Sequence, residues 1–429
     1  MRAIRYSFPA NAAFAILLTF WLLSAVLPTQ STAQTFTVLY TFHGPDGAVP
    51  EGVLVRDAAG NLYGTTGLGG AGTNCPNDFL PGCGTAFMLN KAGKEVALFS
   101  FKGPNGDGPA AGLLRDASGN FYGTTMAGGQ FTQACGGVDG HGCGVVFRLT
   151  KAGKEKLYQF KGSPDGMFPE APLVEDPAGN FYGTTEGGGT HNCGTVFKIN
   201  AAGKETILYS FTGGEDGKGP YTGVILDPAG NLYGVTAGGG THNVGVVYLV
   251  DPSGKETVLY NFTGGSDGGV PFSVLLLDGE GNLYGTTQMG GNTQCGLSGS
   301  CGVVFELSPQ LGGSWKETVL YAFCSLANCA DGQDPGVGPL VRDAAGNFYG
   351  TTAFGGTFPC FGDGCGVVFE LTPSGKETVL YDFTGGSDGE DPSAGLTIDD
   401  SGNLYGSASV GADTSCAQGG CGTVFEITP

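Results

Sequence analysis

The sequence predicts an all-β chain that folds as a seven-bladed β-propeller of four-stranded antiparallel blades, and three observations support this. The motif D-x-x-G-N-[LF]-Y-G occurs seven times, beginning at Asp57, Asp116, Asp176, Asp227, Asp278, Asp343 and Asp399. Each copy is accompanied by segments of the V-L-Y-x-F and G-[TV]-[VA]-[FY] types, whose β-branched and aromatic residues favour strands. No window has a helical period with caps, so each repeat supplies about four short strands, the content of one propeller blade.

The motif Asp is predicted to have a mechanical role. An Asp side chain can accept a hydrogen bond from the backbone two residues on, and the motif Gly accepts the positive φ of a tight hairpin. This explanation is favoured over a catalytic role for seven equivalent carboxylates.

The two ends of the repeat region complement each other. Residues Thr37 to Phe42 have the sequence of a fourth strand with no blade before it, and Gly422 to Ile427 have that of a third strand with no fourth after it. Pairing these segments would close the ring and remove the exposed sheet edges of an open stack. We therefore expect the N-terminal strand to complete the seventh blade.

The first 33 residues are predicted to be a secretory signal peptide. Arg2 and Arg5 precede an apolar run from Ala10 to Leu27, and small residues offer a cleavage site near Ala33. A membrane anchor is the alternative, disfavoured by Asn11 within the run and by the cleavage site after it. The mature chain, residues 34–429, is then one propeller domain in the periplasm or the medium, without a membrane span.

The mature chain is strongly acidic, which limits its partners. It carries 17 Lys and Arg against 39 Asp and Glu, a net charge of −22. Such a surface disfavours nucleic acid and favours cations and neutral ligands. We expect a monomer whose partner is an extracellular glycan or a protein.

The repeat resembles a known family of tandem repeats named for Gloeobacter and Verrucomicrobium, called GloVer. The resemblance rests on the G-N-L-Y-G-T-T and G-V-V-F-x-L elements, as at Gly281 to Thr287 and Gly302 to Leu307, and covers essentially the whole mature chain. It implies a secreted bacterial repeat protein, and it supplies no catalytic residue. Some family members carry C-terminal anchors, whereas this sequence stops at Pro429 without a hydrophobic tail.

Twelve of the 13 cysteines are predicted to form disulfides. Pairs occur in each long connection between second and third strands and in one enlarged loop between blades: Cys75 with Cys83, Cys135 with Cys143, Cys295 with Cys301, Cys324 with Cys329, Cys360 with Cys365, and Cys416 with Cys421. In an exported protein such pairs are best explained as disulfide bonds that cross-link the long loops. Zinc is the alternative, but structural zinc needs four clustered ligands and these pairs are spread around the ring. Cys193 has no partner and is expected to be a buried, unreactive thiol.

Each connection between blades carries the pattern [DN]-G-x-x-P. The first residue is Asp46, Asn105, Asp165, Asp216, Asp267, Asp331 or Asp388. The simplest explanation is structural, because Asp-Gly is a turn pair and Pro can begin a strand. The alternative is a ring of carboxylates near the channel mouth that could hold Ca²⁺ through oxygen ligands. We predict no cofactor otherwise, and the sequence lacks a D-x-D-x-D-G loop.

A candidate binding notch is predicted over blades three and four. Their connections between second and third strands have 8 residues, against 13 to 18 elsewhere. The notch would contain the following side chains: His191, Asn192, His242, Asn243, Glu186, Glu215, Asp216 and Tyr221. The remaining histidines, His43 and His141, fall on the same face. Histidine can act as a base or metal ligand, and Asn, Glu and Tyr can bind a sugar. The alternative is that the residues of the duplicated T-H-N are plain turn residues.

Two functional hypotheses follow. The first is a secreted binding or interaction scaffold that presents its loops to a glycan or a partner protein. The second is a secreted hydrolase, lyase or lactonase with its site in the notch. The sequence contains no nucleophile elbow, phosphate loop, dinucleotide fingerprint or H-E-x-x-H.

Overall fold

The computed structural model describes residues 34–72, 75, 82–130, 135, 142–292, 295, 301–360, 362–413, 416 and 419–429. Residues Gln34–Pro429 form one compact unit. Its antiparallel sheets form the seven blades of a β-propeller, as predicted, and most blades have four strands. The predicted signal peptide lies outside the described residues.

Each blade runs from a short inner strand at the channel to an outer strand. The first strand of the chain, β1 (Thr35–Thr41), belongs to the last blade. Blade one consists of β2 (Val55–Arg56), β3 (Leu62–Thr66), β4 (Thr85–Leu89) and β5 (Glu95–Ser100), and blade two of β6 (Leu114–Arg115), β7 (Phe121–Thr125), β8 (Val145–Thr150) and β9 (Gly153–Gln159). Blade three follows β10 (Gly166–Met167) and consists of β11 (Val174–Glu175), β12 (Phe181–Thr185), β14 (Thr195–Ile199) and β15 (Glu205–Ser210), with β13 (Gly187–Gly188) between β12 and β14 in the chain. Blade four consists of β16 (Ile225–Leu226), β17 (Leu232–Thr236), β18 (Val246–Val250) and β19 (Glu256–Asn261). Of these, β10 and β13 pair with each other in a separate two-stranded ribbon.

Blades five and six each contain one additional short strand that the sequence did not predict. Strands β20 (Gly269–Pro271) and β25 (Gln333–Pro335) pair with the extended second strands of these blades. The other strands of blade five are β21 (Leu276–Leu277), β22 (Leu283–Met289), β23 (Val303–Pro309) and β24 (Trp315–Ala322). Those of blade six are β26 (Val341–Arg342), β27 (Phe348–Phe354), β28 (Val367–Leu371) and β29 (Glu377–Asp382). Blade seven contains β30 (Leu396–Ile398), β31 (Leu404–Ala408) and β32 (Thr423–Thr428), together with β1. One 3-10 turn, Ala327–Cys329, lies in the loop between blades five and six.

Strand β1 supplies the outer strand of blade seven. It pairs antiparallel with β32, with Phe36 opposite Ile427 and Val38 opposite Phe425. Blade seven also contacts blade one, because Ser407 Oγ donates to the backbone oxygen of Pro50 at 3.0 Å. The first and last repeats are therefore neighbours in space.

Aromatic side chains form the core between blades. In blade five the ring of Phe305 lies under Gly285, where a Cβ would come within 2.8 Å of its Cζ atom, so the glycine of L-Y-G-T-T makes room for the ring. The same ring meets Phe262 of blade four edge to face at 5.2 Å. Seven such pairs link successive blades: Phe42–Phe87, Phe101–Phe147, Phe160–Phe197, Phe211–Tyr248, Phe262–Phe305, Phe323–Phe369 and Phe383–Phe425.

The D-x-x-G-N-[LF]-Y motif closes the hairpin between the first two strands of each blade. In blade five, Asp278 Oδ1 accepts hydrogen bonds from the backbone N–H groups of Glu280 and Asn282, both at 2.9 Å. Its Oδ2 accepts from Asn282 Nδ2 and Tyr284 Oη, both at 3.0 Å. The predicted bond to the backbone two residues on is therefore present, and the carboxylate is committed to the turn.

Candidate functional site

The channel is lined by residues that follow the proline of each D-G-x-x-P connection. That proline packs on the first glycine of the third strand of the preceding blade; for example, a Cβ at Gly302 would lie 2.4 Å from Pro335 Cδ. The contact fixes the backbone that continues into the channel. The channel wall contains residues from all seven blades, among them Glu51, Ala110, Glu170, Tyr221, Val274, Val337 and Ala394.

Glu51 and Glu170 stand where the channel opens into a cleft of about 310 Å³, which Leu68 and Met126 also line. Solvent reaches the Glu51 side chain, yet the surrounding wall displaces much of its water. This desolvation and repulsion from Asp391 raise the pKa of Glu51 to about 7. Burial, followed by repulsion from Glu186 and Glu51, likewise raises the pKa of Glu170 to about 7. Both groups can therefore exchange a proton near neutral pH.

Two further carboxylates come from equivalent positions of blades six and seven. Asp334 and Asp391 both have positive φ, 57° and 55°. The Oδ1 atom of each is buried without a hydrogen-bond partner among the described residues, whereas Asp391 Oδ2 accepts from Ser409 Oγ at 2.9 Å. Burial and repulsion from Asp391 raise the pKa of Asp334 to about 7. These groups extend the acidic character of the channel mouth to blades six and seven.

A second cleft, of about 380 Å³, lies between blades three and four. It is lined by Glu186, Asn192, Cys193, Lys218, Gly219, Tyr221, Ala237, Gly238 and Asn243. Tyr221 Oη donates to Glu186 Oε1 at 2.8 Å, and burial together with this bond raises the pKa of Tyr221 to about 12. The Tyr221 ring also lies 5.0 Å from that of Phe272 of blade five. Because Tyr221 lines both this cleft and the channel, it joins the two.

The structure brings together only half of the predicted notch residues. Glu186, Asn192, Tyr221 and Asn243 line one cleft. The two asparagines also shape their turns: both have φ of 58°, and Asn192 Oδ1 accepts from Gly188 N at 3.2 Å.

The other predicted notch residues do not line this cleft. His191 and His242 are exposed, and each ring contacts the hydroxyl of the preceding threonine through Nδ1, at 2.9 and 3.0 Å. Glu215 is exposed as well, and Asp216 is bonded to Tyr209 and Thr212. Neither His191 nor His242 therefore places a general base in this cleft.

Of the two remaining histidines, the structure describes His43. His43 is exposed at a turn, with Nδ1 3.4 Å from Asp46. His141 lies outside the described residues.

The aspartates of the D-G-x-x-P connections bind turns and tyrosines and are not among the residues that line the channel. Tyr260 Oη donates to Asp267 Oδ2 at 3.0 Å, and the backbone N–H of Thr263 donates to the same oxygen at 2.8 Å. The same Tyr–Asp bond occurs at Asp46, Asp165, Asp216, Asp331 and Asp388. The carboxylates that line the cleft at the mouth are instead Glu51, Asp107 and Glu170.

The predicted cysteine pairing is confirmed. Six disulfides join the pairs expected from the sequence. Cys193 is free, but it is half-buried rather than buried as predicted, and its Sγ lies 3.4 Å from the backbone oxygen of His191. Six disulfides are typical of a protein from an oxidising compartment.

Among the described residues, groups of three potential metal-ligand atoms within 4.8 Å of one another occur three times. Each group contains a disulfide pair: Cys75 and Cys83 with Asp107, Cys295 and Cys301 with Cys324, and Cys360 and Cys365 with Glu390. Disulfide sulfur is not a thiolate and is a poor ligand. Calcium at the channel mouth therefore stays a prediction.

Sequence reasoning missed Glu51, Glu170 and Phe272. The available signal was variation within the repeat: after an invariant proline, the next residue is Glu, Ala, Glu, Tyr, Phe, Gly and Ser in blades one to seven. Variation directly after a constant residue indicates a surface whose chemistry differs from blade to blade.

These features define a tandem-repeat β-propeller with a varied channel mouth. The chain belongs to the Gloeobacter/Verrucomicrobia repeat family, whose model matches residues 82–298 and 291–429. None of the curated proteins compared with the chain is similar to it in sequence. Among the described residues no helix is long and apolar enough to cross a membrane.

Several solved structures are similar in fold. PorZ, a surface component of the type-IX secretion system of Porphyromonas gingivalis, is 12% identical with a TM-score of 0.49; the match covers 91% of this chain but 48% of PorZ. A gluconolactonase from Xanthomonas campestris is 10% identical with a TM-score of 0.41, covering 92% and 89% of the two chains. A luciferin-regenerating enzyme is 14% identical with a TM-score of 0.41, covering 74% and 90%. Likenesses this distant carry no argument about activity.

Proposed function

We propose that this chain is a secreted binding scaffold whose ligand site is the mouth of the central channel and the adjoining cleft between blades three and four. The ligand would be a neutral, polyhydroxylated molecule such as an extracellular glycan. Secretion is supported by the N-terminal leader-like segment and by the six disulfides.

The observation that carries the proposal is the grouping of Tyr221 and Phe272 with Glu186 and Glu170. Aromatic rings offer an apolar surface for the C–H face of a sugar, and carboxylates accept hydrogen bonds from its hydroxyl groups. Glu186 and Tyr221 are already joined at 2.8 Å, so each holds the other in place. Such a mixture of apolar and convergent polar groups in a concave site is typical of small-molecule binding.

The test is a glycan-array screen of the mature protein, followed by titration of any hit with two variants. Tyr221→Ala removes the ring and should weaken binding by about tenfold, the equivalent of one lost aromatic contact. Tyr221→Phe keeps the ring and removes only the bond to Glu186, so it should retain most of the affinity. A blank array, or equal affinity for wild type and Tyr221→Ala, would reject a glycan at this site and favour a protein partner.

Calcium is tested in the same screen. Oxygen ligands such as the carboxylates of Glu51, Asp334 and Asp391 suit this ion. Binding that disappears with EDTA and returns with calcium would support a cation at the channel mouth, whereas binding indifferent to EDTA would argue against it.

A second candidate is a hydrolase, lyase or lactonase that uses the same carboxyl groups. It is favoured by Glu51 and Glu170, because groups that titrate near pH 7 suit general acid and base catalysis. Turnover of lactones and glycosides at neutral pH, abolished in Glu170→Gln and kept in His191→Ala, would support this candidate. Absence of turnover across the panel would leave the binding scaffold.

A further inference from the structure

All seven junctions between neighbouring blades share three equivalent positions near the outer strands. These are an aromatic residue on the outer strand of one blade, the turn residue of the connection, and a side chain near the start of the next outer strand. In five junctions the three residues are Tyr, Asp and Glu: Tyr40, Asp46 and Glu95; Tyr158, Asp165 and Glu205; Tyr209, Asp216 and Glu256; Tyr260, Asp267 and Glu317; Tyr321, Asp331 and Glu377.

Both carboxyl oxygens of the aspartate in each trio accept hydrogen bonds. At the junction of blades four and five, Asp267 Oδ2 accepts from Tyr260 Oη and from the backbone N–H of Thr263, and Asp267 Oδ1 accepts from Thr263 Oγ1. It has no donor left to offer to a neighbouring carboxylate.

The glutamate of each trio lacks such partners. One carboxyl oxygen, Oε1, is buried in all five without a hydrogen-bond partner among the described residues: Glu95, Glu205, Glu256, Glu317 and Glu377. The charged group facing each is the turn aspartate, which repels it. Lys161 also faces Glu205, and the Tyr248 hydroxyl lies in the field of Glu256. An ionised glutamate here would be poorly solvated and beside a like charge.

The two remaining junctions serve as internal controls. Between blades one and two all three residues differ: Phe99 and Asn105 replace Tyr and Asp, and Lys154 replaces Glu. The Lys154 ammonium donates to the backbone oxygen of Asn105. Between blades six and seven, Phe36 takes the Glu position and stacks on Tyr381 at 3.6 Å. The glutamate position therefore accepts a hydrogen-bond donor or an apolar ring.

We propose that Glu95, Glu205, Glu256, Glu317 and Glu377 are protonated in the folded propeller and donate their carboxyl hydrogens to the adjoining turns, and that loss of these protons to solvent loosens the blade junctions as pH rises. The acceptor would be the backbone oxygen of the turn aspartate, which is equivalent to the Asn105 oxygen that Lys154 contacts. The propeller is thus held most tightly in mildly acidic surroundings.

The pKa shifts of these five glutamates have the direction that the proposal requires. Burial first, and repulsion from the turn aspartate second, raise the pKa of Glu205, Glu256, Glu317 and Glu377 to about 7 and that of Glu95 above its usual value. Lys161 opposes part of the effect at Glu205. Because the folded state holds protons that the unfolded chain releases near pH 4.5, this contribution to stability is complete below that pH and is lost as pH rises through about 7.

The experiment compares urea unfolding of the mature wild-type protein and Glu317→Gln from about pH 5 to about pH 8. The amide of Glu317→Gln keeps a donor and cannot ionise. We expect its unfolding midpoint to match wild type at the acidic end and exceed it at the alkaline end. The slope of the logarithm of the unfolding constant against pH reports the number of protons released on unfolding, and this number should differ by about one between wild type and Glu317→Gln. Glu317→Met, which has no donor, should be less stable than Glu317→Gln at the acidic end.

The matched control is Glu280→Gln, which changes an exposed turn glutamate of the same blade and should run parallel to wild type. Glu377→Gln repeats the test at the next junction, should Glu317→Gln fail to fold. Profiles of the Gln variants that run parallel to wild type, or that lie below it at alkaline pH, would overturn the proposal.

Discussion

Truncation of Phe36 to alanine tests whether β1 is held in blade seven by packing as well as by backbone pairing. The Phe36 ring stacks on Tyr381 with centroids 3.6 Å apart and planes 7° apart, and it lies 5.4 Å from Phe425 and 5.7 Å from Phe383. It is half-buried. A fully buried Phe→Ala change costs about 3–5 kcal/mol, so half of that is about 2 kcal/mol. Loss of the aromatic stacking adds about 1 kcal/mol, and we expect a total near 3 kcal/mol.

The assay is urea unfolding followed by far-ultraviolet circular dichroism, together with hydrogen exchange of the amides that pair β1 with β32. Thr37→Ala, an exposed change on the same strand, is the control and should stay within about 0.5 kcal/mol of wild type. Faster exchange confined to β1 and β32 in Phe36→Ala is the expected local signature. If Phe36→Ala is no less stable than Thr37→Ala, the Phe36 ring does not hold β1 in place and backbone pairing alone does.

Three further outcomes are expected. Tyr248→Phe should raise the free energy of unfolding in urea by about 1 kcal/mol, because the Tyr248 hydroxyl is buried without a partner among the described residues and the other six blades have Phe at this position. A loss of stability would contradict this explanation and would mean that the hydroxyl makes a stabilising hydrogen bond. A thiol reagent should titrate one group per unreduced mature chain and none in Cys193→Val, which copies Val244 of blade four; more than one thiol in the wild type would contradict the six disulfides. Burial tends to raise the pKa of Asp278, but bonds from Asn282 and Tyr284 outweigh it and lower this pKa below 3.8. Its contribution is therefore present above that pH and lost as pH falls through the lowered value, so Asp278→Asn should flatten the acid limb of the stability profile, and an unchanged limb would rule this out.

Much of the fold could be predicted because the same strand and turn patterns recur in seven repeats. The motif Asp, the strand patterns and the paired cysteines each depend on local sequence, which can be compared between blades. The channel mouth is different. Whether Glu51 and Glu170 meet depends on how seven blades pack around an axis, and this follows from contacts such as Pro335 against Gly302, more than 30 residues apart.

The notch prediction shows the same division between local and long-range information. Asn192 and Asn243 were expected on short turns, and their φ of 58° explains why asparagine suits those turns. The exposure of His191 and His242 depends on how far each turn projects beyond its blade. Spacing along the chain cannot supply that distance.

The pairing of β1 with β32 has a consequence for assembly. Thr35 lies opposite Thr428, so a growing chain makes one partner of this pair long before the other. Until β32 is made, the segment that ends at Thr41 lacks the strand with which it pairs. Circular architecture therefore imposes an order on biogenesis, in which blades one to six can form as they are produced and blade seven depends on synthesis of β32.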